Sequence, residues 1–293
     1  MSRKPVVLLV GLLACGAPRA VSSDAATSRS DTQMPPPPAD SNARLDWALA
    51  GPQRTGSLDR FGVFQSNRSR DAFRHPKEML TFFGITKDMT VVELWPGGGW
   101  FTEVLAPFLR DDGKLIVTDQ EATSLAGKNW TKAYEDKLRA APSIYGKVEV
   151  RRISPPSDVV LGPAESADMV LTFRNFHNWI KSGYEKAVVD ASFKVLKHGG
   201  IFGVEEHRGD EGANAKTIAD TGYVPEKLVV DLARAAGFEL VGSSAVNANP
   251  RDDHHHEGGV WALPPNFANG EKDRAKYEAV GESDRMTLKF RKP

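Results

Sequence analysis

The chain has 293 residues, 40% hydrophobic and 26% charged, the balance of a globular protein with room for one large α/β domain and a tail. Its 38 basic residues offset 38 acidic ones, so no global field steers it toward nucleic acid or an anionic membrane. A single cysteine, Cys15, excludes intrachain disulfides and thiolate metal clusters as sources of stability.

The first fifteen residues read as a targeting segment. Arg3 and Lys4 precede an apolar run, Val6 to Leu13, broken only by Gly11. That run is too short for a membrane-spanning helix, which needs about 20 residues, and suits a signal peptide. Leu12-Leu13-Ala14-Cys15 resembles the bacterial lipobox. The resemblance implies cleavage before Cys15, a lipid on that cysteine and, with Gly16 following, onward transport to the outer membrane. The expectation is an exported periplasmic or outer-membrane lipoprotein that meets the membrane only through its anchor. Residues 16–44 are rich in Ala, Ser, Asp and Pro, with four consecutive prolines from Pro35 to Pro38, and read as a disordered tether.

Residues 45–88 form a mostly helical preface to a domain spanning 45–293. Pro76 fits the first turn of a helix whose apolar face holds Met79, Leu80, Phe82 and Phe83, and Gly84 stops it. Regular α/β alternation follows. Strands are predicted at Thr90–Leu94, Lys114–Thr118, Val148–Ile153, Asp168–Phe173 and Ile201–Glu205. Helices are predicted at Trp100–Leu109, at Lys186–Leu196 (closed by Lys197-His198-Gly199-Gly200) and at Pro225–Ala236. Phe238–Val246 and Met286–Phe290 are the last strands. No crossover helix is evident between them, so they are expected to pair antiparallel. The fold class is α/β: a mostly parallel seven-stranded sheet, a C-terminal antiparallel pair, and helices on both faces.

Val91-Val92-Glu93-Leu94-Trp95-Pro96-Gly97-Gly98-Gly99-Trp100 is the strongest site signal, a buried strand running through glycines into a helix. Glycines let the backbone approach a ligand closely, and the helix beyond offers free N–H groups. A dinucleotide fingerprint starting at Gly97 and Gly99 would need a third glycine where Thr102 stands. With Glu93 ahead of the glycines, the stretch instead resembles motif I of class I methyltransferases that use S-adenosylmethionine (SAM). Trp95 departs from that pattern, standing where its first glycine belongs. Asp119, ending the second strand, is placed to accept ribose hydroxyls, in NAD and SAM sites alike.

The wider resemblance covers residues 45–293 and is to a family of bacterial predicted methyltransferases. It is carried by VVELWPGGGWFTEVLAPFL (91–109), DMVLTFRNFHNW (168–179), GYVPEKLVVDLARAAGFEL (222–240), NANP (247–250), GGVWALPP (258–265) and DRMTLKF (284–290). It implies a Rossmann-like methyltransferase fold and SAM as cofactor, held by Glu93, Gly97, Gly98, Gly99 and Asp119. It implies no particular acceptor.

Beyond the fourth strand stand Arg174, Asn175, His177 and Asn178, on the rim where open α/β sheets bind ligands. His177 can serve as general base, Arg174 can bind an anionic acceptor, and Asn175 can help hold it. The alternative is that Asn175 and His177 only cap the next helix. Glu205-Glu206-His207-Arg208 ends the fifth strand on the same rim, as acceptor-pocket lining or as a salt-bridged strand end. Arg68, Asp71 and Arg74 are placed to fold over the site. Asp252-Asp253-His254-His255-His256-Glu257 looks like a metal site, but adjacent residues rarely converge on one ion, and it reads as a solvated loop. Trp261-Ala262-Leu263-Pro264-Pro265 reads as packing.

The sequence therefore points to methyl transfer from SAM to an unknown small-molecule or envelope acceptor, with no metal required. SAM is made in the cytoplasm, however, and the N-terminus directs the chain out of it. A non-catalytic exported binding protein, a NAD-dependent oxidoreductase and a structural lipoprotein stay open as alternatives.

Overall fold

Val91 and Val92 are neighbours in one strand, and each belongs to a different hydrophobic cluster, because alternate side chains of a strand leave opposite faces. Their strand, β1 (Thr90–Leu94), is buried from its second residue to its last, as a central strand covered on both sides must be. The computed structural model describes residues 34–54, 56–58, 64–65, 67–120 and 125–293. The expected leader with Cys15, and residues 16–33 of the expected tether, lie outside the described residues.

Six further strands complete the sheet: β2 (Lys114–Gln120), β3 (Glu149–Ile153), β4 (Ala167–Phe173), β5 (Leu196–Gly209), β6 (Glu239–Ser244) and β7 (Arg285–Arg291). Their order is β3-β2-β1-β4-β5-β7-β6, and a two-residue strand, Val224–Pro225, runs beside the end of β5. Leu94 is in register with both Thr118 of β2 and Thr172 of β4, so three parallel strands end together at one edge. The two C-terminal strands pair antiparallel, as expected. Since β7 is also antiparallel to β5, it alone runs against the sheet's direction.

Helices α1 (Ser41–Ala50), α2 (Pro76–Phe83), α3 (Thr102–Leu109) and α4 (Leu125–Ala140) lie on one face. Leu45, Met79, Phe83, Val104, Phe108 and Tyr134 close that half of the core around Val91 and Leu171. On the other face are α5 (Phe176–Ser182), α6 (Glu185–Val195) and α7 (Glu226–Ala235), whose Trp179, Val188, Val189, Val229 and Ala233 pack with Val92, Val170 and Phe202. A final helix, α8 (Arg274–Val280), packs with Leu263 in a small separate cluster. Among the described residues no helix is long and apolar enough to cross a membrane.

Three expectations are corrected. Residues 34–44, the end of the expected tether, belong to the folded body: α1 starts at Ser41, capped by the Asp40 side chain, which accepts from Ala43 N at 2.8 Å. The proline run lies against it, Pro35 O accepting from Trp47 Nε1 at 3.1 Å and Pro38 O from Arg44 Nε at 2.9 Å. Lys197–Gly200 do not close a helix; α6 passes straight into β5, and these residues lie within the irregularity between the pairs Ala167–Leu196 and Met169–Ile201. Helix α4 fills a stretch for which no element is predicted. Much of its length is polar and supported by i,i+4 pairs such as Lys132–Asp136, so apolar periodicity did not announce it.

Candidate active site

The ladder between β1 and β2 runs one residue past β1, with Trp95 N donating to Thr118 O at 2.8 Å. Trp95, Gly97 and Gly99 then take positive φ angles of 45°, 59° and 79°, which turn the chain into α3. For tryptophan that conformation is strained. It is held by its ring, nearly parallel to Tyr184 at 6.2 Å and tilted on Trp179 at 5.2 Å. The two positive-φ glycines differ in surroundings. A Cβ on Gly97 would meet nothing within 4 Å, whereas one on Gly99 would lie 2.8 Å from the Tyr134 ring.

Glu93 is 1% exposed, and its carboxylate accepts from Thr102 Oγ1 at 2.7 Å. Thr102 Oγ1 lies 3.1 Å from the Tyr134 hydroxyl, so the chain of polar atoms runs beneath the glycine turn. Burial raises the Glu93 carboxyl to about 7, against the opposing pull of the Thr102 hydrogen bond and Lys137. Glu93 thus ties β1 to α3 from inside. The hydroxyl where a dinucleotide site would want glycine is the partner that makes this tie. Lys137 braces the turn, donating to Gly98 O at 2.9 Å.

Asp119, on β2, keeps its carboxylate at the edge of the sheet, but with partners. It accepts from Arg152 at 3.0 Å, from Thr131 at 3.3 Å and from Gln120 N at 2.9 Å.

Beyond β4 and β5 lies a cavity of about 210 Å³ lined by Arg70, Arg74, Arg174, His177, His207 and Glu282 on its polar side. Val260, Trp261, Pro264 and Pro265 supply its other wall. Arg174 has φ 58°, its N–H donates to Glu205 O at 2.7 Å, and its guanidinium pairs with Glu205 at 3.4 Å. Asn175 does not reach the cavity wall. Its Nδ2 donates to Leu94 O at 3.0 Å and Thr172 Oγ1 at 3.1 Å, fastening the end of β1 to the end of β4. In the structure Asn175 thus holds two strand ends together.

His177 is set by Glu206, which is fully buried. Glu206 accepts from Phe176 N at 2.6 Å and His207 N at 2.8 Å, and its Oε1 is 3.2 Å from His177 Nδ1. With Nδ1 donating to the Glu206 carboxylate, the free ring nitrogen of His177 would be Nε2, on a ring that lines the cavity. Beside it, His207 is held well below the usual imidazole range, first by burial and then by repulsion from cations that include Arg174 and Arg285.

The structure thus brings together Arg174, His177, His207 and Arg74, drawn from three parts of the predicted rim and lid. It leaves Arg68 and Asp71 out of the cavity: Arg68 donates to Ala50 O and Gly51 O, and Asp71 pairs with Arg54 at 2.6 Å. Arg70, Glu282 and the orienting part played by Glu206 were missed by sequence reasoning. No local spacing announces them, since Arg70 and Glu282 meet across 212 positions. Trp261, Pro264 and Pro265 line the cavity, so only Ala262 and Leu263 of that run are purely core. The 252–257 run is also corrected. Asp252 and His256 are buried, with side chains 2.7 Å apart, and Asp252 further accepts from the Tyr223 hydroxyl at 2.9 Å and Asp284 N at 2.7 Å. Asp252, Asp253 and His256 have potential ligand atoms within 4.8 Å of one another, but Asp252 is already the hub of a loop.

No protein-family model matches the sequence, and no curated protein matches it. Solved structures do match the fold. A structure solved as a candidate sarcosine dimethylglycine methyltransferase from Galdieria sulphuraria aligns with TM-score 0.53 at 17% identity, over 86% of this chain and 98% of that one. The 4+2 cyclase SpnF aligns with TM-score 0.53 at 17% identity, over 89% of this chain and 99% of that one. This is the class I methyltransferase fold.

The methyltransferase fold places both halves of the site on one edge. The glycine turn sits at the end of β1 and Asp119 at the end of β2, while the cavity lies past β4 and β5 and before β7. Ligands of open α/β sheets collect at this edge, outside the carboxyl ends of the strands.

Proposed function

We propose that the chain is a SAM-dependent methyltransferase acting on a small molecule held in the cavity, exported and anchored by a lipid on Cys15. The observation that carries the reading is His177, a cavity-lining imidazole whose Nδ1 is engaged by a buried carboxylate. Gly97 supplies the fit to the cofactor: its backbone is exposed, its φ is positive, and a Cβ would find open space there. Gly97, Gly98 and Asp119 would hold SAM, with Gly99 and Glu93 shaping the turn from behind. When bound, SAM supplies a methyl group activated by a sulfonium.

The acceptor loses its proton to His177 Nε2 as its oxygen or nitrogen becomes the nucleophile. Glu206 fixes the ring's tautomer and stabilises the imidazolium that results. Asn175 keeps the ends of β1 and β4 together, so the turn and the cavity stay in one relation to each other. Calorimetric titration of the full chain with SAM, S-adenosylhomocysteine (SAH) and NAD tests the cofactor. Micromolar binding of the two adenosyl compounds without NAD is expected; no binding of either by folded protein would overturn the reading.

The Arg152–Asp119 pair favours a second reading, a non-catalytic exported binding protein on this scaffold. There Asp119 serves structure, and Asp119→Ala would leave the affinity for SAH unchanged.

A further inference from the structure

Around the cavity the described charges do not balance. Arg70, Arg74, Arg174 and Arg285 share two carboxylates. Glu282 takes Arg70 at 2.7 Å, Arg285 at 2.8 Å and Arg74 at 3.6 Å, and Glu205 takes Arg285 at 3.0 Å and Arg174 at 3.4 Å. The nearby acids are otherwise engaged. Glu206 serves two amides and His177, and Asp284 serves Arg208, the Asn249 amide and His254.

Arg74 shows the excess most clearly. It is 4% exposed, its Nε makes no hydrogen bond, and its guanidinium rests on the Trp100 ring at 4.7 Å. A cation taken out of water normally has a full partner, because desolvation costs more than a distant carboxylate returns. Burial first, and then repulsion by Arg174 and Arg70, pulls Arg74 well below the usual guanidinium range. Among the described residues, the wall holds more cationic charge than its carboxylates balance.

We propose that the cavity binds the carboxylate or phosphate group of a small organic anion, gripped by Arg70, Arg74 and Arg174, and that this anion is the methyl acceptor. The last clause rests on the methyltransferase reading; the anion site stands without it. Guanidiniums suit such a group, since their planar N–H pairs match the oxygens of a carboxylate or phosphate. The volume, about 210 Å³, falls below the range of about 300–1,000 Å³ typical of drug-sized ligands, so the molecule is small. Val260, Trp261, Pro264 and Pro265 offer its carbon part an apolar wall, and His177 stands in the same cavity to take the proton.

Calorimetric titration of the full chain with malonate and with inorganic phosphate tests the site, at fixed ionic strength and with SAH run in parallel. Saturable binding of at least one probe is expected. It should weaken by at least about tenfold in Arg174→Gln and in Arg70→Gln, and less in Arg174→Lys, with SAH affinity unchanged as proof of folding. Stronger malonate binding assigns a carboxylate, stronger phosphate binding a phosphate monoester. No saturable binding to the wild type, or binding that both Gln variants leave at wild-type strength, overturns the proposal while SAH binding leaves the methyltransferase reading intact. Anion binding without SAH binding removes the acceptor role and keeps the site.

Discussion

The glycine turn and the cavity lie along one edge of one sheet, yet they treat their polar groups in opposite ways. Beneath the turn, Glu93, Thr102 and Tyr134 satisfy one another, and Asp119 is met by Arg152 and Thr131. Around the cavity, among the described residues, four guanidiniums share two carboxylates, and Arg74 Nε has no hydrogen bond. The turn gets its shape from the protein's own hydrogen bonds. The cavity leaves side-chain charge for something else to complete. Along one edge of the sheet, polar groups that satisfy one another thus stand beside charges that do not.

The sharpest way to break that contrast is Glu206, a fully satisfied acid on the cavity side. Glu206→Ala removes the acceptor for Phe176 N and His207 N together and leaves His177 unheld. Two orphaned amides, one buried and one partly buried, predict a loss of about 2–3 kcal/mol in urea unfolding. A loss under about 1 kcal/mol would mean that water or a neighbour replaces the carboxylate, and that Glu206 does not organise the rim.

On the turn side the comparable test is pH. The Glu93 carboxyl sits at about 7 in the fold against 4.5 for the ordinary group. Between those values the folded protein binds more protons than the unfolded chain, so stability falls as pH rises. The total is up to about 3 kcal/mol, absent below about pH 4.5 and complete somewhat above pH 7. Glu93→Gln should flatten that slope when unfolding free energies are compared at pH 5 and pH 8. An unchanged slope would assign it to another group.

The glycines separate shape from binding within the turn itself. Gly99→Ala combines positive φ with contact against Tyr134 and should cost about 2–3 kcal/mol. Gly97→Ala meets only the backbone penalty, about 1–2 kcal/mol, yet fills the open space proposed for the cofactor. Thermal unfolding and SAH titration of both variants check this. The expected pattern is that the less destabilising change weakens SAH more.

How much was legible from the sequence follows the same division. The turn is local, ten consecutive residues with strand periodicity, glycines and a helix, and β1 was placed to the residue. Even so, the direction of Glu93 depended on Tyr134 and Lys137 of α4, a helix too polar for its periodicity to be seen. The cavity is assembled from residues near 70, 174, 207, 261 and 282, and only tertiary structure joins them. His177 and Arg174 were found because strand ends bind ligands; Arg70 and Glu282 carry no such positional cue. The 252–257 run erred in the other direction. Its charges suggested solvent, but Tyr223 and the Asp284 amide gather Asp252 into the interior.

Asp119 is the residue on which the contrast is most finely balanced, and its removal should disturb stability least. Its pair with Arg152 is partly exposed, with side-chain exposures of 21% and 36%, and such pairs contribute about 0–1 kcal/mol. Asp119→Ala is therefore expected to unfold at nearly the wild-type urea midpoint. If the carboxylate also serves the cofactor's ribose, the same variant should bind SAH at least about tenfold more weakly. Loss of binding with stability kept would mean that Arg152 holds Asp119 ready for a ligand. Binding kept would mean that the pair is structural and the turn side holds no nucleoside through this acid, leaving the cavity as the half of the edge that still calls for a ligand.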